Sequence, residues 1–518
     1  MSTRSRTVLI PVVGAVALLS LVSCTAVGPD FKAPTAPEIP NWYQEELEGL
    51  KASEIDLVAW WKVFDDPVLD HLVETAHLES NTLEIAALRV LEARAQLGIS
   101  TGMQWPQAQV ATGDATYISP TEPNGPVSNF GSYNLGASVA WEIDFWGRYR
   151  RGIEASDAGL HATMARYDEA LVLLTAQVVQ TYTSIRLSEE QLRIAKQNIV
   201  IQQRSYEIVE VLYRFGEKAA LDLEQAKTLL LGTQATVPKL EAALQKHKNA
   251  LSTLLGRPPG GVDGLLGGES TLPEIPEQII MGIPADMLRR RPDVRTAEMN
   301  AMAQNALVGV ATADLYPSFS LMGFLGLSSG SPGDDNIGDL FSSSSLTYNV
   351  GLGFTWPFFN YGRIRNNIRV QDARLQQALI AYRETVIQAT REVEDAMTGY
   401  VGAQRQARIL AKGVVSATRS NEISMLRYRE GFSDYQRVLN AQQALFSQQG
   451  RLIDSRGSAV LAVVDLYKAL GGGWEIHGGA YDISPATREE MQQRTNWGDY
   501  LESETNEDDE DGNSGGSE

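Results

Sequence analysis

Among 518 residues there is one cysteine, and there are only five histidines. A single cysteine excludes an internal disulfide framework and any cysteine-rich metal site. His71 and His77 lie six apart, not at the i, i+4 spacing of a helical zinc pair, so both read as helix-surface residues and no metal is expected. Positive charge is also scarce. Lys and Arg total 44 against 64 Asp and Glu, a formal charge of −20. That balance excludes nucleic acid as a partner, because phosphate needs a basic surface. Gly471-Gly-Gly-Trp474 lacks the lysine of a phosphate loop and reads as a helix stop. Gly326-Leu-Ser328-Ser-Gly330 fits the nucleophile-elbow spacing, but it ends a strand with no helix behind it, and only His477 follows as a base. No enzyme is expected. Past residue 22 no stretch is convincing as a spanning helix. If the mature chain crosses a membrane it must do so as a closed β-barrel, because lipid cannot satisfy open backbone groups.

What is present begins at the N-terminus. Arg4 and Arg6 precede an apolar stretch from Thr7 to Val22 that is interrupted by Pro11. It is too short and too close to the start for a typical spanning helix, and reads as a secretory signal. Leu21-Val-Ser-Cys24 resembles the lipobox of bacterial lipoproteins. The resemblance implies cleavage before Cys24, a covalent lipid on its thiol, and, with Thr25 rather than aspartate next, export to the outer membrane. No other cofactor is expected. An acyl chain holds a protein to a membrane at about 0.8 kcal/mol per buried methylene. A proline-rich arm follows, from Pro29 to Pro40.

The strongest internal feature is a tandem repeat. Trp141-Glu-Ile-Asp-Phe-Trp-Gly147-Arg148 recurs as Trp356-Pro-Phe-Phe-Asn-Tyr-Gly362-Arg363, at an offset of 215. The same offset takes Tyr213-Arg-Phe-Gly216 to Tyr428-Arg-Glu-Gly431, and Leu254-Leu-Gly256 to Ala469-Leu-Gly471. The expected organisation is a signal peptide (1–23), an acylated arm (24–60), two repeats (61–270 and 271–476) and an acidic, disordered tail (477–518). From Tyr481 onward 12 acidic residues face two basic ones.

Each repeat should run helix, strand, loop, strand, very long helix, turn, helix. No Gly or Pro occurs from Leu160 to Phe215, a run of about 84 Å if helical throughout. Leu171, Leu174, Val178, Tyr182, Ile185, Leu192 and Ile199 follow heptad spacing, which suggests a coiled coil. In the second repeat the long helix starts near Arg363, and Gly399, Gly402 and Gly413 should make it less regular. Apolar residues alternate with polar or small ones over Tyr133–Ile143, Leu346–Trp356 and Phe319–Leu327, with a weaker fourth strand around Gln109–Ile118. Such alternation over about ten residues is the signature of a transmembrane barrel. The loops 119–126 and 328–345 are candidate exterior tips. Four strands cannot close a barrel when the smallest have about eight. Copies must share one, and three would give twelve strands.

Cys24-Thr-Ala-Val-Gly-Pro-Asp-Phe, Trp60-Trp61 with Phe64-Asp-Asp-Pro-Val-Leu, the Trp141–Arg148 motif and Leu288-Arg-Arg-Arg-Pro-Asp-Val-Arg-Thr-Ala-Glu298 together resemble the outer-membrane efflux protein family, in its NodT-like lipoprotein branch. The resemblance extends to about Trp474. It implies an α+β membrane protein: a homotrimer with a shared twelve-stranded β-barrel and a periplasmic α-barrel of long coiled-coil helices. It implies a passive exit duct for drugs or other small toxic compounds, docked to a periplasmic adaptor and an inner-membrane transporter, with outer-membrane lipid around the barrel. The arginines at 289–295 should pair with carboxylates at the repeat junction. The family's gate is the periplasmic tip, here the turns Tyr213–Ala226 and Tyr428–Ala441. Its candidate residues are Asp222, Glu224, Asp434, Gln436, Arg437 and Asn440. Asn440 stands where many relatives carry an aspartate. Asp222 and Arg437 occupy equivalent places in the repeats, which suggests polar or opposite-charge links that hold the resting state shut. Two alternatives are a duct for ATP-driven type I protein secretion and a non-conducting, lipid-anchored periplasmic scaffold.

Overall fold

A computed structural model describes residues 26–35, 50–52, 57–119, 130–268, 271–275, 279–281, 289–330 and 337–501. Cys24, Leu288, most of the first exterior loop and the run Glu507–Asp511 lie outside them. Nine helices stand among the described residues: α1 (Pro67–Glu79), α2 (Asn81–Gly102), α3 (Arg148–Arg214), α4 (Ala220–Gln234), α5 (Thr236–Leu254), α6 (Pro292–Ala313), α7 (Arg363–Arg429), α8 (Tyr435–Ala469) and α9 (Pro485–Arg494). None is long and apolar enough to cross a membrane. The strands are β1 (Leu50–Ala52), β2 (Ala108–Ile118), β3 (Phe130–Ile143), β4 (Ile279–Met281), β5 (Ser318–Ser329) and β6 (Leu346–Thr355). Two compact units result. One comprises Glu92–Thr163, Ala297–Tyr382 and the chain up to Thr35; the other comprises Ala36–Leu91, Met164–Thr296 and the chain from Arg383 on.

In the first unit β2, β3, β5 and β6 form one antiparallel sheet in that order. The two tryptophan motifs set the ends of its strands. Trp141 donates its indole N–H to the Gln104 carbonyl at 3.1 Å. Trp356 donates to the Leu315 carbonyl, also at 3.1 Å. Asp144 then accepts the backbone N–H groups of Tyr149 and Arg150 at 3.1 and 3.0 Å, satisfying donors that the first turn of α3 leaves open. Gly147 turns the chain into α3 at φ +78°, and Gly362 into α7 at +83°.

α3 and α7 are each 67 residues long, about 100 Å at 1.5 Å per residue. α7 continues unbroken through Gly399, Gly402 and Gly413, because isolated glycines cost a supported helix only about 1 kcal/mol each. Within the second unit α8 runs antiparallel to both long helices. Gln180 donates to Asp465 and Gln191 to Asp454, while Ser455 bonds the Ala403 carbonyl of α7. Leu171, Leu174, Val178, Tyr182 and Ile185 are buried along α3 as the heptad spacing requires. Below Leu192 the seam shifts by one position. Asn198, not Ile199, turns inward, followed by Gln202 and Ser205.

α8 stops where Gly471 takes φ +71° and Gly472 donates back to Tyr467. A side chain at Gly472 would crowd Trp60, which stacks on Tyr467 at 5.2 Å. Three of the four arginines at 289–295 are paired with carboxylates. Arg291 bonds Asp293 and Glu392 at 2.7 Å, Arg295 bonds Asp168 at 2.8 Å, and Arg290 bonds Glu475. The parallel pairing of β1 with β4 had no sequence signal, since both are three residues long.

Two further expectations fail. The tail is not disordered from 477. α9 carries a Ser484 N-cap, and Met491 and Leu501 are buried with Leu91, flanked by Leu88, Ile483 and Trp497. Eight of the twelve acidic residues lie beyond Leu501, so the earlier half retains enough apolar surface to pack. His77 is not a surface residue either. It hydrogen-bonds Thr175 of α3 at 2.8 Å and sets its ring edge against Trp61.

Burial lowers the pKa of His77 to about 4, because the charged form loses its hydration. The unfolded chain binds a proton near pH 6.5, so the stabilisation is full above that value and is lost as pH falls towards 4. Melting of the detergent-solubilised protein should therefore shift down over this window, by an amount equivalent to about 1–3 kcal/mol. His77→Gln should flatten that dependence.

Candidate functional site

The sheet has one apolar face and one mostly polar face that also holds Met322 and Phe324, in register across its strands. Phe354, Leu352, Val350, Tyr348 and Leu346 of β6 pair with Phe319, Leu321, Gly323, Leu325 and Leu327 of β5. Those continue into Ile143, Trp141, Val139, Ala137 and Leu135 of β3. Val350, Leu352 and Phe354 are 78%, 72% and 70% exposed, far beyond what a water-facing sheet tolerates as a contiguous patch. The other face carries Thr347, Asn349, Ser320, Ser328, Asn134, Ser138, Glu142, Thr112 and Asp114, linked in part by side-chain bonds such as Asn134 to Asp114 at 3.0 Å. β2, the weakest strand in sequence, matches the apolar rows only through Ala111, Ala115 and Tyr117.

β2 and β6 each pair on one side only among the described residues. The sheet therefore presents two open edges, of 11 and 10 residues, whose outward N–H and C=O groups have no partner within the sheet. An apolar face with open edges is not a finished structure in water or in lipid.

The second candidate site is the turn region that follows each long helix. The two turns are built alike. Gly216 and Gly431 adopt φ +76° and +78°, where a side chain is strained. Gly216 donates to Tyr213 and Glu217 to Leu212; Gly431 donates to Tyr428 and Phe432 to Arg427. This doubled bond is the Schellman stop of a helix. Behind the turns, Val209 of α3, Ala226 of α4, Tyr428 of α7 and Tyr435 and Val438 of α8 form one core, with Tyr206, Leu212, Leu223, Met425 and Leu439 packed around it. The Tyr428 and Tyr435 rings meet edge to face at 5.2 Å.

Tyr428 donates its hydroxyl to Asp222 at 3.1 Å, and the Lys218 ammonium lies 4.7 Å from the centre of its ring. Burial first, and the Asp222 charge second, hold the Tyr428 hydroxyl well above its ordinary pKa. The same causes push Tyr435 up to about 12. Both are neutral at physiological pH, so Tyr428 is a fixed donor to the Asp222 carboxylate.

Within the chain Asp222 and Arg437 do not pair with each other. Asp222 reaches Tyr428, and Arg437 sits 3.8 Å from Asp434, both well exposed. Gln436 accepts from Gln225 of α4 at 3.4 Å and donates to Asn440 at 3.0 Å. Glu224 lines an open groove of about 530 Å³ with Leu221, Gln225, Thr228, Leu439 and Phe446. The candidates thus gather at one place, but their cross-helix links run through Tyr428 and Gln225. In the sequence Tyr428 reads as a turn landmark, and no local pattern marks Gln225.

The arrangement finds close relatives. The outer membrane efflux protein family matches residues 72–257 and again 283–472. The probable outer membrane lipoprotein SilC of Salmonella typhimurium is 30% identical over 458 residues, covering 88% of this chain and 96% of its own. The pyoverdine export outer membrane protein OpmQ of Pseudomonas putida is 32% identical, covering 88% and 96%. The solved structure of the outer-membrane channel OprN superposes with a TM-score of 0.81 at 31% identity, covering 87% of this chain and 99% of that one. Its relatives are channels of the outer membrane and not enzymes. The sheet, the paired long helices and these matches have one reading: this chain belongs to the outer membrane efflux protein family and resides in the outer membrane.

Proposed function

We propose that this chain is the passive exit duct of a tripartite efflux pump, a homotrimer whose three four-stranded sheets close one twelve-stranded barrel and whose long helices ring a periplasmic tunnel. The observation that carries the proposal is the sheet with an apolar face and two open edges. A closed barrel of copies satisfies both edges and turns the apolar face to lipid. A tandem repeat underlies the chain. Supporting it are the two 67-residue helices starting 215 positions apart, the two equivalent tryptophan bonds and the double match to one family. Cys24 would carry the lipid anchor, in keeping with the lipoprotein name of SilC. A periplasmic adaptor and an inner-membrane transporter would complete the pump. OpmQ is named for pyoverdine export, which favours small cargo over the protein-secretion alternative. The apolar sheet face weighs against a non-conducting scaffold.

Closure has a direct chemical test. Thr112 on β2 and Asn349 or Gly351 on β6 share the polar face. Cysteines placed at Thr112 and scanned along β6 should give, on oxidation, covalent species of two and three chains and none larger. A ladder beyond three, or none at any register, would sink the trimer.

The gate would be the tip, with Tyr428–Asp222 and Gln225–Gln436 holding neighbouring helices together and the adaptor shifting the population towards an open state. Asp222→Ala and Arg437→Ala should raise single-channel conductance. The Asp222 variant should have the larger effect, because Arg437 touches only Asp434. Unchanged conductance in both would remove these residues from the gate.

A further inference from the structure

In the first unit the arm that follows Cys24 is not a loose tether. Val27 donates its N–H to the Trp146 carbonyl at 2.9 Å. Arg151, whose side chain is only 6% exposed, donates to the Val27 carbonyl at 3.3 Å, the Gly28 carbonyl at 3.5 Å and the Asp30 carboxylate at 2.6 Å. Asn305 of α6 donates to the Pro29 carbonyl at 2.9 Å. Close approach completes the fit. Gly28 holds φ +94°, and a Cβ there would lie 2.5 Å from the Gly309 Cα. A Cβ on Gly147 would lie 2.5 Å from that of Ala26, and one on Gly309 would strike the Arg151 side chain. Two helices thus leave room for a glycine backbone and supply a buried guanidinium and an amide to its carbonyls. Surface arms are not ordinarily held by a buried arginine and a glycine-on-glycine contact.

We infer that Trp146, Arg151, Asn305 and Gly309 form a receptor for the segment Ala26–Asp30, which pins the lipid-bearing residue to the rim of the sheet and sets where the anchor enters the bilayer. The inference rests on the acylation of Cys24 proposed above. Trp146 lies three residues past the end of β3, stacks on Tyr316 at 4.5 Å and donates to the Pro317 carbonyl at 2.8 Å, next to the start of β5. Cys24 is three residues from Val27, and three residues span at most about 11 Å, so the anchor attaches close to this aromatic rim. Tyrosine and tryptophan at such a rim favour the headgroup level of a membrane. The seat therefore holds the acyl chain in the leaflet beside the apolar face of the sheet, and insertion of the sheet and burial of the lipid become one event.

Trypsin supplies the test, because Lys32 is the first cleavable site after Cys24. In the purified full-length protein, cutting after Lys32 should leave the acylated peptide 24–32 bound, co-eluting with the folded particle. Gly28→Ala and Asp30→Ala lie on the arm, add no tryptic site and leave the helices intact. Each should reduce retention of that peptide by at least about tenfold and lower the outer-membrane yield of assembled protein several-fold, with the acyl mass on Cys24 unchanged. Release of the peptide from the wild type, retention in both variants, or release with an unchanged membrane yield would each overturn the inference. An unmodified Cys24 would instead overturn the lipoprotein reading, while peptide retention would still report on the seat.

Discussion

Every part of this protein answers to one constraint: a backbone hydrogen-bonding group taken into lipid must find a protein partner. The crossing proposed above falls to strands, because the sheet carries the apolar face. One chain contributes four of them, and the outer two, β2 and β6, pair on one side only. Each open amide or carbonyl buried in hydrocarbon costs several kcal/mol. Two edges of ten or more residues thus outweigh the stability of an ordinary domain many times over. In the proposed barrel, sharing of these edges among copies is what lets the sheet enter a membrane. The apolar row, kept in register through ten pairs between β5 and β6, follows from the same requirement, although Met322 and Phe324 stand on the opposite, mostly polar face.

Away from the sheet the governing interaction is the contact of α8 with the two long helices. It changes character along its length. The upper part of α3 buries leucine, valine and tyrosine beside Thr175, Thr183 and Arg186. Below Leu192 it buries Asn198, which donates to Gln449 at 2.7 Å, and Ser205, which accepts from Gln442. Between them lies Gln202, whose amide finds no protein partner. Buried polar layers fix register but contribute less than apolar packing. Beneath this layer the tyrosine core restores tight packing. The gate proposed above would lie at this tightly packed end, past the polar layer.

Much of this was legible in the sequence because periodicity was strong. The offset of 215 located both long helices, the glycines at both turns and the tryptophans at both strand ends. The strands β3, β5 and β6 were visible from alternation, whereas β2 was faint because Ala111, Gly113 and Ala115 replace large apolar residues. Elsewhere long-range contacts overrode local pattern. His77 looked exposed because its partners, Trp61 and Thr175, are distant in sequence. The seam shift from Ile199 to Asn198 reverses the hydrophobicity rule, and only the placement of Gln449 across from it explains the choice. The tail misled through averaged composition, since Met491, Trp497 and Leu501 precede the acidic run. At the tip the candidate residues were found but their pairing was not, because a tyrosine hydroxyl aimed at a carboxylate leaves no pattern along the chain.

The central claim is that an incomplete sheet becomes a channel by sharing its edges. The most direct measurement is the mass of the purified, detergent-extracted particle followed by its recording in a planar bilayer. A particle of three chains that conducts ions in discrete steps is the result expected. A monomer that keeps its helices and conducts nothing would contradict the account.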